Sequence, residues 1–377
     1  MCKFAAAGYR RAIMWCMATY VIGDIHGAYD EFEKLLDKIH LQYDGSDSLY
    51  LVGDYGDWGS QSIETILAVK RMDEEYDFVH CLMGNHELMF LSAIEYGIQD
   101  EWISEASRNW LEDNHGQVTW DGFCELSEEA QEGVYRWMRD LPFSLDVEAG
   151  GRLFMVAHAY PFFDDPKMGE AARQRGKMDA VWRRLLPREN PFRNYIGDKP
   201  YSMLICGHTI TDYYYQETNR QAGRSLSSAL PIGHNQIYRS ERFVDIDCGA
   251  KCLELFGEEG SMRQAIADRA RLAAYCLETN EEYYVGRPRG PIGEMVNGET
   301  APGFEIPGFG VEETLPPEHT LTEWGTAILE REWVEYPKVG APPQLQFPGM
   351  RISVDKEENG LFGWIQRHGL WNSGNLE

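Results

Sequence analysis

Five short polar clusters in the first two-thirds of the chain contain the residue types that bind divalent metal ions. The clusters occupy residues 23–27, 53–57, 84–87, 156–158 and 207–209. Their candidate metal ligands are Asp24, His26, Asp54, Asn85, His158 and His208. Carboxylate oxygen, amide oxygen and imidazole nitrogen together suit Mn²⁺, Fe or Zn²⁺. Because six ligands exceed what one ion usually needs, the pattern predicts two ions that share Asp54.

Each cluster follows an apolar run that is typical of a β-strand. The runs occupy residues 20–22, 49–52, 78–83, 153–156 and 203–206. Helical patterns follow the first three clusters, at residues 29–40, 63–71 and 87–96. This alternation is typical of βαβ units, and strands that end together deliver side chains to one edge of a sheet. Further along, the sequence predicts a strand and turn at 246–250 and a closing hairpin from 269–276 and 281–285.

The predicted ligand set suits hydrolysis at phosphorus. Two metal ions about 3.5–4 Å apart can bind a bridging hydroxide and clamp the oxygens of an in-line displacement. A single aspartate at a strand end is more often a helix cap, and a single histidine is more often structural. The six residues taken together favour a dinuclear hydrolytic centre over those structural roles.

The ordered motifs resemble the calcineurin-like metallophosphoesterase superfamily and, within it, the bacterial and phage branch of the phosphoprotein phosphatase family. The motifs are GDIHG at 23–27, GDYGD at 53–57, GNHE at 84–87, the lone His158, and GHT at 207–209. The resemblance continues weakly to about Val285 and covers nothing after it. It implies an α/β (α+β) four-layer sandwich in which helices flank two mixed β-sheets.

The resemblance also implies roles for individual residues. Asp24, His26 and Asp54 would bind the first ion, and Asp54, Asn85, His158 and His208 the second, with Mn²⁺ favoured. His86 would be the general acid that protonates the leaving oxygen, and Asp57 would orient it. Ile210, where many relatives have a further histidine, favours the phosphoprotein phosphatase ligand set. Glu87 resembles protein phosphatases more than diadenosine tetraphosphate hydrolases.

One position departs from the family pattern. Trp58 stands where the family has an arginine that forks onto phosphate oxygens, a geometry that no indole can supply. A second family arginine corresponds to Arg184, with Arg183 as a substitute, although a solvated helix face explains both arginines equally well. Trp58 offers a surface for stacking on an aromatic or nucleobase part of the substrate.

The composition excludes several other functions. A formal net charge of −26 argues against a nucleic-acid partner and against an anionic membrane surface. An acidic protein that handles an anionic substrate needs a local positive charge, which bound metal supplies. The eight cysteines form no CxxC pair, so we interpret them as small buried hydrophobic residues in a reducing, cytoplasmic compartment. No stretch is long and apolar enough to span a bilayer.

We predict three regions. Residues 1–16 form an N-terminal extension, or lie upstream of a true start at Met17. Residues 17–285 form the catalytic domain, with a helical insertion at 97–140 that caps the site. Residues 286–377 are rich in proline and tryptophan and form an appendage.

Three functional hypotheses follow. The leading one is a dinuclear-metal-dependent phosphoesterase that hydrolyses phosphomonoesters, including phosphoserine and phosphothreonine in proteins, by attack of a metal-bridging hydroxide. An alternative with the same chemistry is hydrolysis of nucleotide polyphosphates such as diadenosine tetraphosphate. The partner is accordingly a phosphorylated protein or a small phosphoester. A third hypothesis is a non-catalytic scaffold that binds phospho-ligands, but the presence of His86 and Asp57 argues against it.

Overall fold

A computed structural model describes residues 17–99, 102–221, 235–255 and 262–286. The strands are β1 (Thr19–Ile22), β2 (Ser48–Leu51), β3 (Val79–Cys81), β4 (Ile98–Gln99), β5 (Trp102–Ile103), β6 (Ser144–Ala149), β7 (Arg152–Ala157), β8 (Tyr201–Cys206), β9 (Tyr238–Arg239), β10 (Phe243–Asp245), β11 (Arg271–Cys276) and β12 (Glu282–Gly286). The helices are α1 (Tyr29–Ile39), α2 (Ser62–Glu75), α3 (Asn85–Ser92), α4 (Glu105–Glu112), α5 (Gln117–Cys124), α6 (Glu128–Asp140), α7 (Glu170–Trp182), α8 (Asp212–Gln221) and α9 (Met262–Arg269).

Two five-stranded mixed sheets form the centre of the fold. The first has the order β12-β11-β1-β2-β3, in which β1, β2 and β3 are parallel and β11 is antiparallel to both of its neighbours. The second has the order β6-β7-β8-β10-β9, in which β7, β8 and β10 are parallel and the two edge strands are antiparallel. This arrangement confirms the predicted fold class of two mixed sheets with flanking helices.

The alternation of side chains along the strands divides the core into layers. In β1, Val21 packs in the cluster between the two sheets, together with Val156 and Ile205 of the second sheet. Its neighbours Tyr20 and Ile22 pack on the opposite face, in the cluster that includes the buried residues of α1 and α2. The buried face of α1 consists of Phe32, Leu35, Leu36 and Ile39, as its helical stripe predicts.

Several boundaries differ from the sequence predictions. The strand expected at 246–250 lies earlier, at Phe243–Asp245, because its pairing with β8 ends where Cys206 meets Asp245. A 3₁₀ turn follows at Ala250–Cys252. The insertion at 97–140 is largely helical, with α4, α5 and α6, but begins with the small hairpin β4–β5. The closing hairpin is confirmed as β11 and β12.

The remaining predictions concern the two ends of the chain, the cysteines and membrane-spanning helices. The extension at 1–16 and residues 287–377 of the appendage lie outside the described residues. Five of the six cysteines in the described ranges are buried and unpaired, and Cys124 is exposed. The described helices include none with the length and apolarity needed to cross a bilayer.

Candidate metal centre

The five polar clusters meet where parallel strands end. The register pairs Ile22 of β1 with Leu51 of β2, and Leu51 with Cys81 of β3, so the loops after these strands start side by side. Each of the second-sheet strands β7 and β8 is followed within two residues by a histidine, His158 or His208. The structure therefore brings the predicted ligands together at the ends of both sheets.

Asp54 is common to two groups of buried donor atoms. The first group is Asp54 with His26 and His86, and the second is Asp54 with His158 and His208; within each group the donor atoms lie within 4.8 Å of one another. The Nε2 atoms of His26 and His158 each lie 3.5 Å from Asp54 Oδ2. Asp54 therefore belongs to both groups, although the first group contains His86 where the sequence predicts Asp24.

The other two predicted ligands lie beside these groups. Asn85 Oδ1 is 2.9 Å from His158 Nε2 and 3.0 Å from His208 Nδ1, so the amide oxygen joins the second group. Both carboxylate oxygens of Asp24 accept the backbone N–H of His208, at 3.2 and 3.0 Å. All six predicted ligands therefore lie in one buried region of the molecule.

Backbone carbonyls orient two of the histidines. His26 Nδ1 lies 3.1 Å from the Gly56 carbonyl oxygen, and His158 Nδ1 lies 3.0 Å from that of Val52. A carbonyl oxygen only accepts, so each Nδ1 carries the proton and each Nε2 presents its lone pair toward Asp54. This is the arrangement in which metal-binding histidines are usually held.

The electrostatics of the ligands also suit cations. Burial raises the pKa of the Asp24 and Asp54 carboxyls well above 3.8, and neighbouring carboxylates add to the rise. Burial lowers the pKa of His26 and His208 and lowers that of His158 to about 3, so these imidazoles are neutral. Divalent ions bind neutral imidazole nitrogens and carboxylate oxygens and would offset the charge of the buried carboxylates. The residues therefore fit a dinuclear centre.

The loops that carry the ligands have unusual backbone conformations. Five residues in or beside the centre have positive φ angles: His26, Asp54, Asp57, Trp58 and His208, at 50°, 55°, 68°, 65° and 70°. Such conformations cost about 1–3 kcal/mol each in residues other than glycine, and they cluster at functional sites. Surrounding contacts must therefore hold these loops in place.

Glu87 makes several of those contacts. Its buried carboxylate accepts the backbone N–H groups of Asp54 and Tyr55, both at 2.8 Å, and that of Gly84 at 3.0 Å. The sequence identified Glu87 only as a marker within the family, and its structural role was missed. The signal was local, because a glutamate three residues after the N-cap residue can accept the N-cap N–H, which is one half of a capping box.

His86 and Asp57 form a buried pair beside Asp54. His86 Nδ1 lies 2.5 Å from Asp57 Oδ2, and His86 Nε2 lies 3.9 Å from Asp54 Oδ2. Trp110 Nε1 donates to Asp57 Oδ2 at 2.7 Å, and the Thr119 hydroxyl donates to Asp57 Oδ1 at 2.5 Å. Trp110 and Thr119 belong to the insertion, so this segment holds the His86–Asp57 pair, a role that the sequence did not indicate.

The three predicted substrate-binding residues have different surroundings. The charge of Arg184 adds to the effect of burial in lowering the pKa of His208. This effect indicates that Arg184 lies near the second group. Arg183 instead forms an ion pair with Glu189 at 2.8 Å, and its guanidinium lies 3.8 Å from the centroid of the Tyr160 ring.

The Trp58 indole lies between two neighbours at the rim of the centre. Its ring stacks on that of His115, with centroids 3.9 Å apart, and Lys251 Nζ lies 5.2 Å from its centroid. A nucleobase that stacked on Trp58 would therefore have to share the indole with His115 and Lys251. The sequence had not singled out Lys251.

Comparison with known proteins agrees with this geometry. Residues 17–212, more than half of the chain, match the calcineurin-like phosphoesterase family. The chain belongs to this family. The match includes all six predicted ligands together with His86 and Asp57, whereas the phosphoprotein phosphatase branch stays a prediction.

Several relatives in the family are curated proteins. The symmetrical bis(5'-nucleosyl)-tetraphosphatase of Shigella dysenteriae serotype 1 is 33% identical over 165 residues, which are 41% of this chain and 56% of that protein. The protein of the same name from Escherichia coli strain K12 is 32% identical over the same shares of the two chains. The chain thus spans about half the length of the curated relatives that it matches.

Solved structures of family members are similar at lower identity. A metallophosphoesterase from Sphaerobacter thermophilus aligns with a TM-score of 0.40 and 15% identity, over 72% of this chain and 90% of that chain. A protein serine/threonine phosphatase from Saccharomyces cerevisiae aligns with a TM-score of 0.40 and 12% identity, over 74% of this chain and 82% of that chain.

Proposed function

We propose that this chain is a phosphoesterase that depends on two divalent metal ions. The observation that carries the proposal is the position of Asp54, whose Oδ2 lies 3.5 Å from histidine nitrogens of both donor groups and 3.9 Å from His86. A single carboxylate shared by two groups and placed beside a histidine–aspartate pair suits dinuclear hydrolysis.

The six ligands would divide between the two ions. Asp24 and His26 would hold the first, and Asn85, His158 and His208 the second, with Asp54 bridging. When bound, the ions would polarise a phosphoryl oxygen and lower the pKa of a water molecule. We favour Mn²⁺ on the mixed oxygen and nitrogen donors, which also accept Fe and Zn²⁺.

His86 and Asp57 would deliver the proton that the leaving group needs. Because His86 Nδ1 faces the Asp57 carboxylate at 2.5 Å, Nε2 is the nitrogen that faces the centre. A protonated Nε2 can give its proton to the departing oxygen as the P–O bond breaks. The Asp57 carboxylate stabilises the charged imidazole before that transfer and fixes the orientation of the ring.

Nucleotide polyphosphates are the substrate class that we favour. The curated relatives that align with this chain carry the name symmetrical bis(5'-nucleosyl)-tetraphosphatase, which supports the alternative that the sequence left open. Hydrolysis of phosphoproteins, which the sequence ranked first, stays a prediction. Cytoplasmic placement also stays a prediction, as does the division of the chain at residues 16 and 285.

A substrate panel tests both the activity and the substrate class. We expect the Mn²⁺-loaded chain to hydrolyse diadenosine tetraphosphate to two molecules of ADP, faster than it dephosphorylates a phosphoserine peptide. Asp54→Asn should reduce turnover to background. The matched control is Asp121→Asn, which alters an exposed aspartate that accepts a hydrogen bond from Gln117, and it should retain full activity. Absence of metal-dependent turnover on every phosphoester would support the non-catalytic scaffold instead.

A further inference from the structure

We propose that Lys251 binds the phosphate of the substrate and supplies part of the positive charge that Trp58 cannot supply. The inference rests on the proposed phosphoesterase function and adds a phosphate-binding residue to that site. Lys251 lies in the 3₁₀ turn Ala250–Cys252 of the second half of the fold.

The need for such a residue follows from the charge of the site. The buried carboxyl groups there include those of Asp24, Asp54, Asp57, Glu87 and Asp247. Asp247 belongs with the others because its charge adds to the effect of burial in raising the pKa of Asp24. Bound metal ions would offset much of this negative charge, and a basic side chain beside the path of an anionic phosphate would add to the attraction.

The ammonium group of Lys251 lies beside the loop that carries Asp57 and Trp58. Lys251 Nζ lies 5.2 Å from the centroid of the Trp58 ring, an arrangement in which the ring attracts the cation. Trp58 directly follows Asp57, whose carboxylate is 2.5 Å from His86. The charge therefore stands beside the indole that occupies the place of the family arginine.

The charge of Lys251 also acts on ligands of both donor groups. Burial raises the pKa of the Asp24 and Asp54 carboxyls, and the charge of Lys251 opposes that rise. The same charge adds to burial in lowering the pKa of His26 and His208. Because electrostatic effects weaken with distance, this shared effect supports the placement that the contact with Trp58 indicates.

Hydrogen bonds hold the Lys251 turn against the loop that carries Trp58. The backbone N–H and the hydroxyl of Ser60 donate to the two oxygens of Glu254, at 2.9 and 3.0 Å. At the start of the turn, Gly249 has a φ angle of 83°, and its N–H donates to Asp247 Oδ1 at 2.8 Å. Lys251 itself is partly exposed.

A lysine at this place would act differently from the family arginine. Its ammonium is a flexible point charge, whereas a guanidinium makes two parallel hydrogen bonds in a fixed plane. Lys251 would therefore attract a phosphate without fixing its rotation. This suits a site in which metal ions orient the phosphoryl group.

Phosphate binding by variants of the Mn²⁺-loaded chain tests the inference. The affinity for inorganic phosphate is measured by calorimetry and, separately, as a competitive inhibition constant. We expect Lys251→Met to weaken phosphate binding about tenfold and Lys251→Arg to weaken it about threefold or less. The matched control is Lys177→Met, because Lys177 Nζ also lies 5.2 Å from an aromatic centroid, that of Phe143 on the surface of the fold. This control should bind phosphate normally.

A rescue variant and the metal content complete the test. Trp58→Arg combined with Lys251→Met should restore phosphate affinity, while the Mn²⁺ content stays that of the parent chain. Equal phosphate affinity in the parent and Lys251→Met would overturn the inference, as would a loss of phosphate binding that merely follows a loss of Mn²⁺. If the parent chain neither binds phosphate nor turns over any phosphoester, the proposed function itself fails. If the parent hydrolyses phosphoesters but Lys251→Met binds phosphate as the parent does, only the inference about Lys251 fails and the proposed function stands.

Discussion

Replacing Asp57 by asparagine isolates the contribution of the His86–Asp57 pair. Asparagine has the same shape, and its amide oxygen can still accept the Trp110 N–H, while its amino group can donate to the Thr119 hydroxyl. The substitution removes the negative charge that lies 2.5 Å from His86 Nδ1. Because Asp57 is not among the six predicted ligands, the metal content should not change.

The size of the expected effect follows from the geometry. A buried hydrogen bond to a charged group contributes about 1.5–3 kcal/mol. Each 1.36 kcal/mol changes a rate about tenfold, so Asp57→Asn should lower kcat about 10- to 150-fold when protonation of the leaving oxygen limits the rate. A leaving group that departs easily without a proton should show a much smaller loss.

Two aryl phosphates provide the assay. Phenyl phosphate has a basic leaving group that needs the proton, whereas 4-nitrophenyl phosphate has a far less basic one. We expect kcat for phenyl phosphate to fall by the larger factor. The matched control is Asp73→Asn, since Asp73 also accepts an indole N–H, from Trp137 at 2.8 Å, but lies outside the two donor groups. Equal losses for the two esters would refute the assignment of His86 as the general acid.

Three further predictions concern metal binding and stability. Asp54→Asn should reduce bound Mn²⁺ from about two ions per chain to one or fewer by elemental analysis; an unchanged content would contradict the sharing of Asp54. Because burial raises the pKa of Asp24 and Asp54 while it lowers that of the ligand histidines, Mn²⁺ binding should displace protons from the carboxyls, and the release should grow as the pH is lowered. Calorimetry in buffers of different ionisation enthalpy should detect this release, and identical heats would exclude it. Glu87→Ala leaves three buried N–H groups without their acceptor and should destabilise the fold by about 3 kcal/mol or more, lowering Tm by about 6 °C or more. Glu33→Ala, which removes an exposed acceptor of the Tyr29 hydroxyl, is the control, and an equal Tm for the two variants would argue against the role of Glu87.

The sequence indicated which polar residues meet at the strand ends because its information there is local. Each ligand stands within a few residues of a strand end, and the parallel order of β1, β2 and β3 brings the loops after them together. Apolar runs and helical stripes were enough to place those strands and α1. Boundaries were less accurate, as in the strand that ends at Asp245, because strand ends depend on pairing with neighbours rather than on residue type.

The contacts that position the centre were harder to predict because they join distant parts of the chain. Trp110 and Thr119 reach Asp57 across 53 and 62 residues, and Ser60 reaches Glu254 across 194. Nothing in the local pattern around an isolated tryptophan or threonine indicates such a partner. Glu87 is the exception, since its capping position could be recognised from the sequence.

The anchoring of Asp57 by Trp110 and Thr119 separates two parts of the machinery. The predicted ligands lie in the loops after the strands and at the start of α3, but the proposed proton donor is oriented by a later excursion of the chain, α4 and α5. Transient opening of that excursion would leave metal retention intact while depriving the departing oxygen of its proton. Hydrogen exchange in α4 and α5 would then report the fraction of time during which Trp110 and Thr119 hold Asp57 in position.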